Sequence, residues 1–149
     1  MKRFRYELEN VLQYKNQVLD GLKAEHAAAR ERVTSQQAAV RGLEGKLEQT
    51  ENRFDAMKEQ GAAASTLRLC ELCVQGETRR LQAEQEKLRA LQRTEAAKKA
   101  QVLTAKVDTS RYEKLRERRL EAYGEEARRQ EQKAAEEFVT RAVLLQKRA

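Results

Sequence analysis

The sequence predicts an all-α protein: a long antiparallel two-helix coiled-coil hairpin, its second helix longer than the first. Three observations carry this. Ala, Glu, Lys, Leu and Arg make up about three-fifths of the 149 residues, with no proline and no tryptophan, a composition of long helices and coiled coils. Apolar residues recur in alternating steps of three and four, the heptad signature. One stretch, EQGAAAST at 59–66, interrupts that recurrence. Aromatic residues are only 5% of the chain, too few to fill a thick layered core but enough for a two-helix seam.

The first helix is expected over about 4–58. Its stripe runs Leu8, Leu12, Lys15, Leu19, Leu22, His26, Ala29, Val33, Gln36, Val40, Leu43, Leu47, Thr50, Phe54 and Met57. Eleven of those fifteen are apolar. The face is too narrow for a helix lying on a membrane. Gly42 and Gly45 sit inside it, but the stripe passes through them, and a helical glycine costs only about 1 kcal/mol against alanine.

The turn is expected over about 59–66. Gly61 can supply the left-handed C-terminal cap, and Ser65 or Thr66 can cap the next helix. The second helix is expected over about 67–147. Its stripe runs Leu67, Cys70, Val74, Leu81, Leu88, Leu91, Val102 and Ala105, then more loosely through Tyr112, Leu115, Tyr123, Ala127, Ala134, Phe138, Ala142 and Leu145. Asp108, Thr109 and Ser110 are weak helix formers, and Ser110 with Glu113 fits a capping box, so a break near Asp108 is the open alternative. Thr34 and Gln37 fit the same pattern in mid-stripe. Helices of about 55 and 80 residues would be roughly 80 Å and 120 Å long. A turn near 62 sets Phe4 opposite residues near 120 and His26 opposite roughly 98. Residues after about 120 then overhang, keeping Phe138, Val143, Leu144 and Leu145 as a docking element. The whole chain, 1–149, reads as a single coiled-coil hairpin.

The formal net charge is +7, which permits an acidic partner. Acids and bases are interspersed, however, and EKLRERRLEAYGEEARRQEQK reads first as a solvated face with opposite charges three and four apart. A nucleic-acid helix would show a dense basic face with stacking aromatics, whereas Arg118 and Arg119 are followed by Glu121, Glu125 and Glu126. No run approaches 18 apolar residues, so no transmembrane segment is expected. The basic start MKRFRYELENVL lacks an apolar h-region, so no secretory signal is expected, and a reducing, cytosolic setting follows for the two cysteines.

Those cysteines, Cys70 and Cys73, form the chain's one C-x-x-C. A structural zinc site needs four ligands, and the single histidine, His26, falls far from them in the hairpin. A thioredoxin-like pair needs a βαβ setting. Both are read as small seam residues. Phosphate-loop and dinucleotide glycine patterns are missing, and one histidine cannot assemble a catalytic triad. The chain is expected not to be an enzyme, with no catalytic residue, cofactor or metal.

Two stretches resemble a known family. FRYELENVLQYKNQVLD, with Phe4, Leu8, Val11, Leu12, Tyr14 and Lys15, is similar to the start of the flagellar export proteins called FliJ. RRQEQKAAEEFVTRA carries the family's Glu-Gln-Lys run, Glu131, Gln132 and Lys133, followed two residues on by the acidic pair Glu136 and Glu137. YEKLRERRLEAY also resembles the family. The resemblance implies a component of the bacterial flagellar type III export apparatus, similar to the central stalk of rotary ATPases. Such a protein inserts into the hexameric export ATPase ring, promotes its assembly and activity, and links it to the membrane export-gate protein and to export chaperones. It implies a cytoplasmic place, peripherally associated with the inner membrane at the flagellar base, and a role in motility. By the same resemblance, Glu131, Gln132, Lys133, Glu136, Glu137, Phe138, Phe4 and Tyr14 contact the ATPase. Leu47, Phe54, Cys73 and Glu77 fall in the export-gate region, where Cys73 replaces a typical aromatic and Glu77 a typical apolar residue. The alternatives are the stalk protein of a virulence injectisome and a generic basic coiled coil that binds nucleic acid.

Overall fold

The computed structural model describes residues 3–149. Among them the chain forms two helices, α1 (Glu9–Glu59) and α2 (Ala64–Arg148). This is the expected all-α hairpin, with 51 residues in the first helix and 85 in the second. It divides into two compact units: the residues up to Leu19 with Thr104–Ala149, and Asp20–Leu103. In each, a stretch of α1 packs on a stretch of α2.

The unit Asp20–Leu103 contains the turn. Gly61 has φ 75°, the left-handed conformation that costs a side-chain-bearing residue about 1–2 kcal/mol. Around it, the Gly61 amide donates to the Lys58 carbonyl at 3.3 Å and the Ala62 amide to the Met57 carbonyl at 3.1 Å. That crossed pair is a Schellman cap, which satisfies carbonyls the helix end would otherwise leave unpaired. The connection is shorter than expected, since α2 already begins at Ala64. The Ala63 carbonyl accepts from the amides of Thr66 and Leu67 at 3.0 and 3.1 Å. Ser65 and Thr66 therefore lie inside the first turn and do not cap it. The alanine run favours helix strongly enough to start it without a side-chain cap.

Ala29 and Val40 are the buried apolar residues of this unit. His26 Nε2 donates to Glu95 Oε1 at 2.6 Å, and Lys98 Nζ to Glu25 Oε2 at 2.6 Å. The Gln36 amide donates to Glu84 twice, to the carboxylate at 2.6 Å and to the main-chain carbonyl at 3.1 Å. With Lys87 donating to the other carboxylate oxygen at 2.9 Å, these bonds hold the Glu84 carboxyl below its ordinary value, Gln36 contributing most.

In the other unit the buried apolar residues are Tyr6, Leu12 and Leu19. The Tyr6 hydroxyl donates to the Tyr112 carbonyl at 3.1 Å, and the Phe4 and Tyr123 rings meet at 5.4 Å between centroids. These contacts explain why α1 starts at Glu9 and not near residue 4: the first residues leave the helical path to lay two aromatic rings on α2. Lys15 Nζ donates to Asp108 at 2.5 Å, a bond that raises the lysine above its ordinary value. The expected opposition of Phe4 to residues near 120 is observed, and α2 runs through Asp108 unbroken.

All fifteen positions of the α1 stripe are buried or half-buried. On α2 the expected positions from Leu67 to Ala127 are half-buried, whereas Ala134, Phe138, Ala142 and Leu145 are exposed. Between Val74 and Tyr112 the three–four alternation never lapses. Its missing members are polar: Glu77, Glu84, Glu95, Lys98 and Thr109, all of them buried or half-buried.

Candidate protein-interaction surfaces

The residues the sequence assigned to ATPase contact all belong to the unit formed by the paired helix ends. Phe4 is half-buried against Tyr123, while Tyr14 is 63% exposed. Lys15, one residue on, holds its ammonium 5.7 Å from the centre of the Tyr112 ring. Glu131, Gln132, Lys133, Glu136, Glu137 and Phe138 lie along an exposed length of α2, since every residue from Arg128 to Ala149 is exposed. Lys133, Glu136 and Glu137, with Thr140 and Arg141, line one shallow open hollow. The C-terminal members lie along one exposed stretch of α2, at positions that run around the whole helix. The structure holds Phe4 on the seam and leaves Tyr14 on the outside of α1.

A second open hollow, of about 560 Å³, is lined by Arg3, Phe4, Arg5, Tyr6, Glu7, Glu9, Asn10 and Arg116. Two acids there are already engaged: Arg116 donates to Glu9 at 3.0 Å, and Arg119 to Glu7 at 3.3 Å.

The residues assigned to the export gate all belong to the other unit. Leu47, Phe54 and Glu77 are half-buried on the seam side, and Cys73 alone is exposed. Lys58 Nζ sits 3.9 Å from the centre of the Phe54 ring, a cation–π contact. Glu77 Oε2 is buried and has no hydrogen-bond partner. These four residues do not form a single open face. The exposed apolar residues nearby are Leu69 and Leu72, 65% and 54% exposed, which the sequence reading passed over because they fall beside the heptad stripe.

The two cysteines separate. Cys70 is half-buried, its thiol donating to the Met57 sulfur at 3.3 Å, while Cys73 is exposed. Cys70 is therefore a seam residue as expected, and Cys73 is not. Three positions past Cys70 is one position short of the next seam residue, Val74.

Two helices packed along a three–four seam, with charged outer faces, belong to the class of coiled-coil hairpins. A family model described as "Flagellar FliJ protein" matches residues 4–148, and the chain belongs to that family, whose members are non-catalytic components of flagellar export. Neither the curated proteins nor the solved structures contain a match to this chain. No helix among the described residues is long and apolar enough to cross a membrane.

Proposed function

We propose that this protein is the stalk-like coiled coil of the flagellar export ATPase. It enters the hexameric ring, promotes ring assembly and ATP hydrolysis, and connects the ring to the membrane export-gate protein and to export chaperones. It acts in the cytoplasm, peripherally associated with the inner membrane at the flagellar base. The observation that carries this reading is the exposed α2 surface from Arg128 onward, in a chain whose family match runs from 4 to 148. A helix that leaves Glu131, Gln132, Lys133, Glu136, Glu137 and Phe138 in solvent, and keeps Phe138 74% exposed, has a surface suited to a protein partner. Phe4 and Tyr14 lie in the same unit, Phe4 beside Tyr123 and Tyr14 next to Lys15, which pairs with Asp108, so both precede residue 131 along α2.

Truncation after Ala127 tests this directly. The cross-helix contacts of Phe4, Tyr6, Glu7, Glu9 and Lys15 all use residues no later than Tyr123, so the hairpin should keep its helical circular-dichroism spectrum per residue. Stimulation of the partner ATPase should fall at least tenfold. Full stimulation by the truncated chain would move the ring contact elsewhere.

A further inference from the structure

The exposed length of α2 changes chemistry after Glu137. From Arg128 to Glu137 acids and bases alternate, and the only apolar residues are alanines. From Phe138 to Ala149 no acid occurs, and the charges are Arg141, Lys147 and Arg148. At about 100° of turn per residue, Phe138, Ala142 and Leu145, with Val139 and Val143 beside them, span an arc of about 160°, which Gln146 is the one polar residue to interrupt. Arg141, Lys147 and Arg148 fall on the other side, and Leu144 lies on that side too, between Lys147 and Arg148. Phe138, Val139, Leu144 and Leu145 are 74, 59, 56 and 69% exposed.

We propose that residues 138–149 form a lipid-contacting helix that lies on an anionic bilayer surface. This goes beyond the stalk reading, in which the membrane is reached through the gate protein, and does not depend on it; Phe138, which that reading gives to the ATPase, serves one contact or the other at a time. The protein's own seam shows what a helix partner looks like here: a narrow three–four stripe flanked by charges of both signs. The segment 138–149 has a wider apolar arc and charge of one sign. Those features suit a helix that sinks its apolar side to the headgroup boundary and meets acidic headgroups with lysine and arginine. The long basic side chains can bury their stems and keep their charges at the headgroups. Binding therefore rests on two contributions, apolar burial and charge, and each can be removed separately.

The test is flotation of the full chain with vesicles of phosphatidylcholine, with and without about one-third phosphatidylglycerol, a composition that supplies the anionic surface potential. Two variants accompany it. Arg141→Gln with Lys147→Gln and Arg148→Gln removes the charge, and Val143→Ser with Leu145→Ser removes apolar area. All these side chains are exposed, so both variants should keep the helical spectrum of the parent. The parent should float with the anionic vesicles and not with the neutral ones, high salt should release it, and each variant should bind at least tenfold more weakly. Three results overturn the proposal. With no flotation, the occupant of this face is a protein. If both variants float like the parent, other basic residues such as Arg3 and Arg5 make the contact. If only the glutamine variant loses binding, the chain adsorbs by charge without burying the helix.

Discussion

Single side chains on the seam set the stability of the hairpin, and two of them make predictions of opposite kind. Thr109 is 3% exposed with its hydroxyl unpartnered. A buried hydroxyl without a partner costs about 1–3 kcal/mol, so Thr109→Val should stabilise the protein by about 1 kcal/mol, read as a higher urea midpoint at unchanged slope. Gln36 does the reverse, because it satisfies the Glu84 carboxylate. A carboxyl held below its ordinary value of 4.5 contributes stability that is complete above that value and is lost as pH falls through the depressed one. Gln36→Leu should therefore lower the melting temperature at neutral pH, and the gap to the parent should narrow as pH falls below 4.5. Lys15, raised by its bond to Asp108, acts at the other end. Its contribution holds through neutral pH and is lost as pH climbs above 10.5, the ordinary lysine value.

At the scale of the elements, the turn is the least replaceable part. No atom lies within 4 Å of where a Gly61 side chain would begin, so the whole cost of Gly61→Ala comes from the left-handed backbone. It should destabilise the protein by about 1–2 kcal/mol, with Gly61→Asn milder. Gly42, which is helical and also open, should behave oppositely, and Gly42→Ala should add up to about 1 kcal/mol. Both are measured by chemical denaturation of the single variants. The contrast shows what sequence patterning conveys. The α1 stripe was legible from Leu8 to Met57 because eleven of its fifteen positions are apolar, and the polar ones sit inside an unbroken period. On α2 the same period was harder to see, because Glu77, Glu84, Glu95, Lys98 and Thr109 occupy heptad positions. Their cue exists only across the hairpin, where Gln36, His26 and Glu25 meet Glu84, Glu95 and Lys98. The start of α1 was misplaced for a similar reason: nothing local says that Phe4 and Tyr6 leave the helix to cover Tyr123 and Tyr112. The end of the seam was legible, because a turn near 62 leaves the residues after about 120 without a partner on the first helix, and those from Arg128 onward are exposed.

For the molecule as a whole, the family match and the hairpin agree with the resemblance drawn from the two terminal stretches, and the contact residues rest on that resemblance alone. The residues from Glu131 to Phe138 were named from a short charged pattern, and they lie together on exposed helix. The gate residues were named by position alone, and Leu47, Phe54 and Glu77 lie toward the seam. Leu69 and Leu72 are the better-presented apolar residues of that unit. If a partner docks there, Leu72→Asp should weaken capture of the export-gate protein at least tenfold while leaving helical content unchanged. The net charge of +7 is spread over mixed faces except after Glu137, where the sign becomes uniform. The stalk reading stands or falls on one titration: ATP hydrolysis by the purified partner export ATPase as the full chain is added, with oligomer size followed in the same samples. The account predicts a rise in rate that parallels conversion to hexamer. An unchanged rate and unchanged oligomer size, with the added protein fully helical, would contradict it.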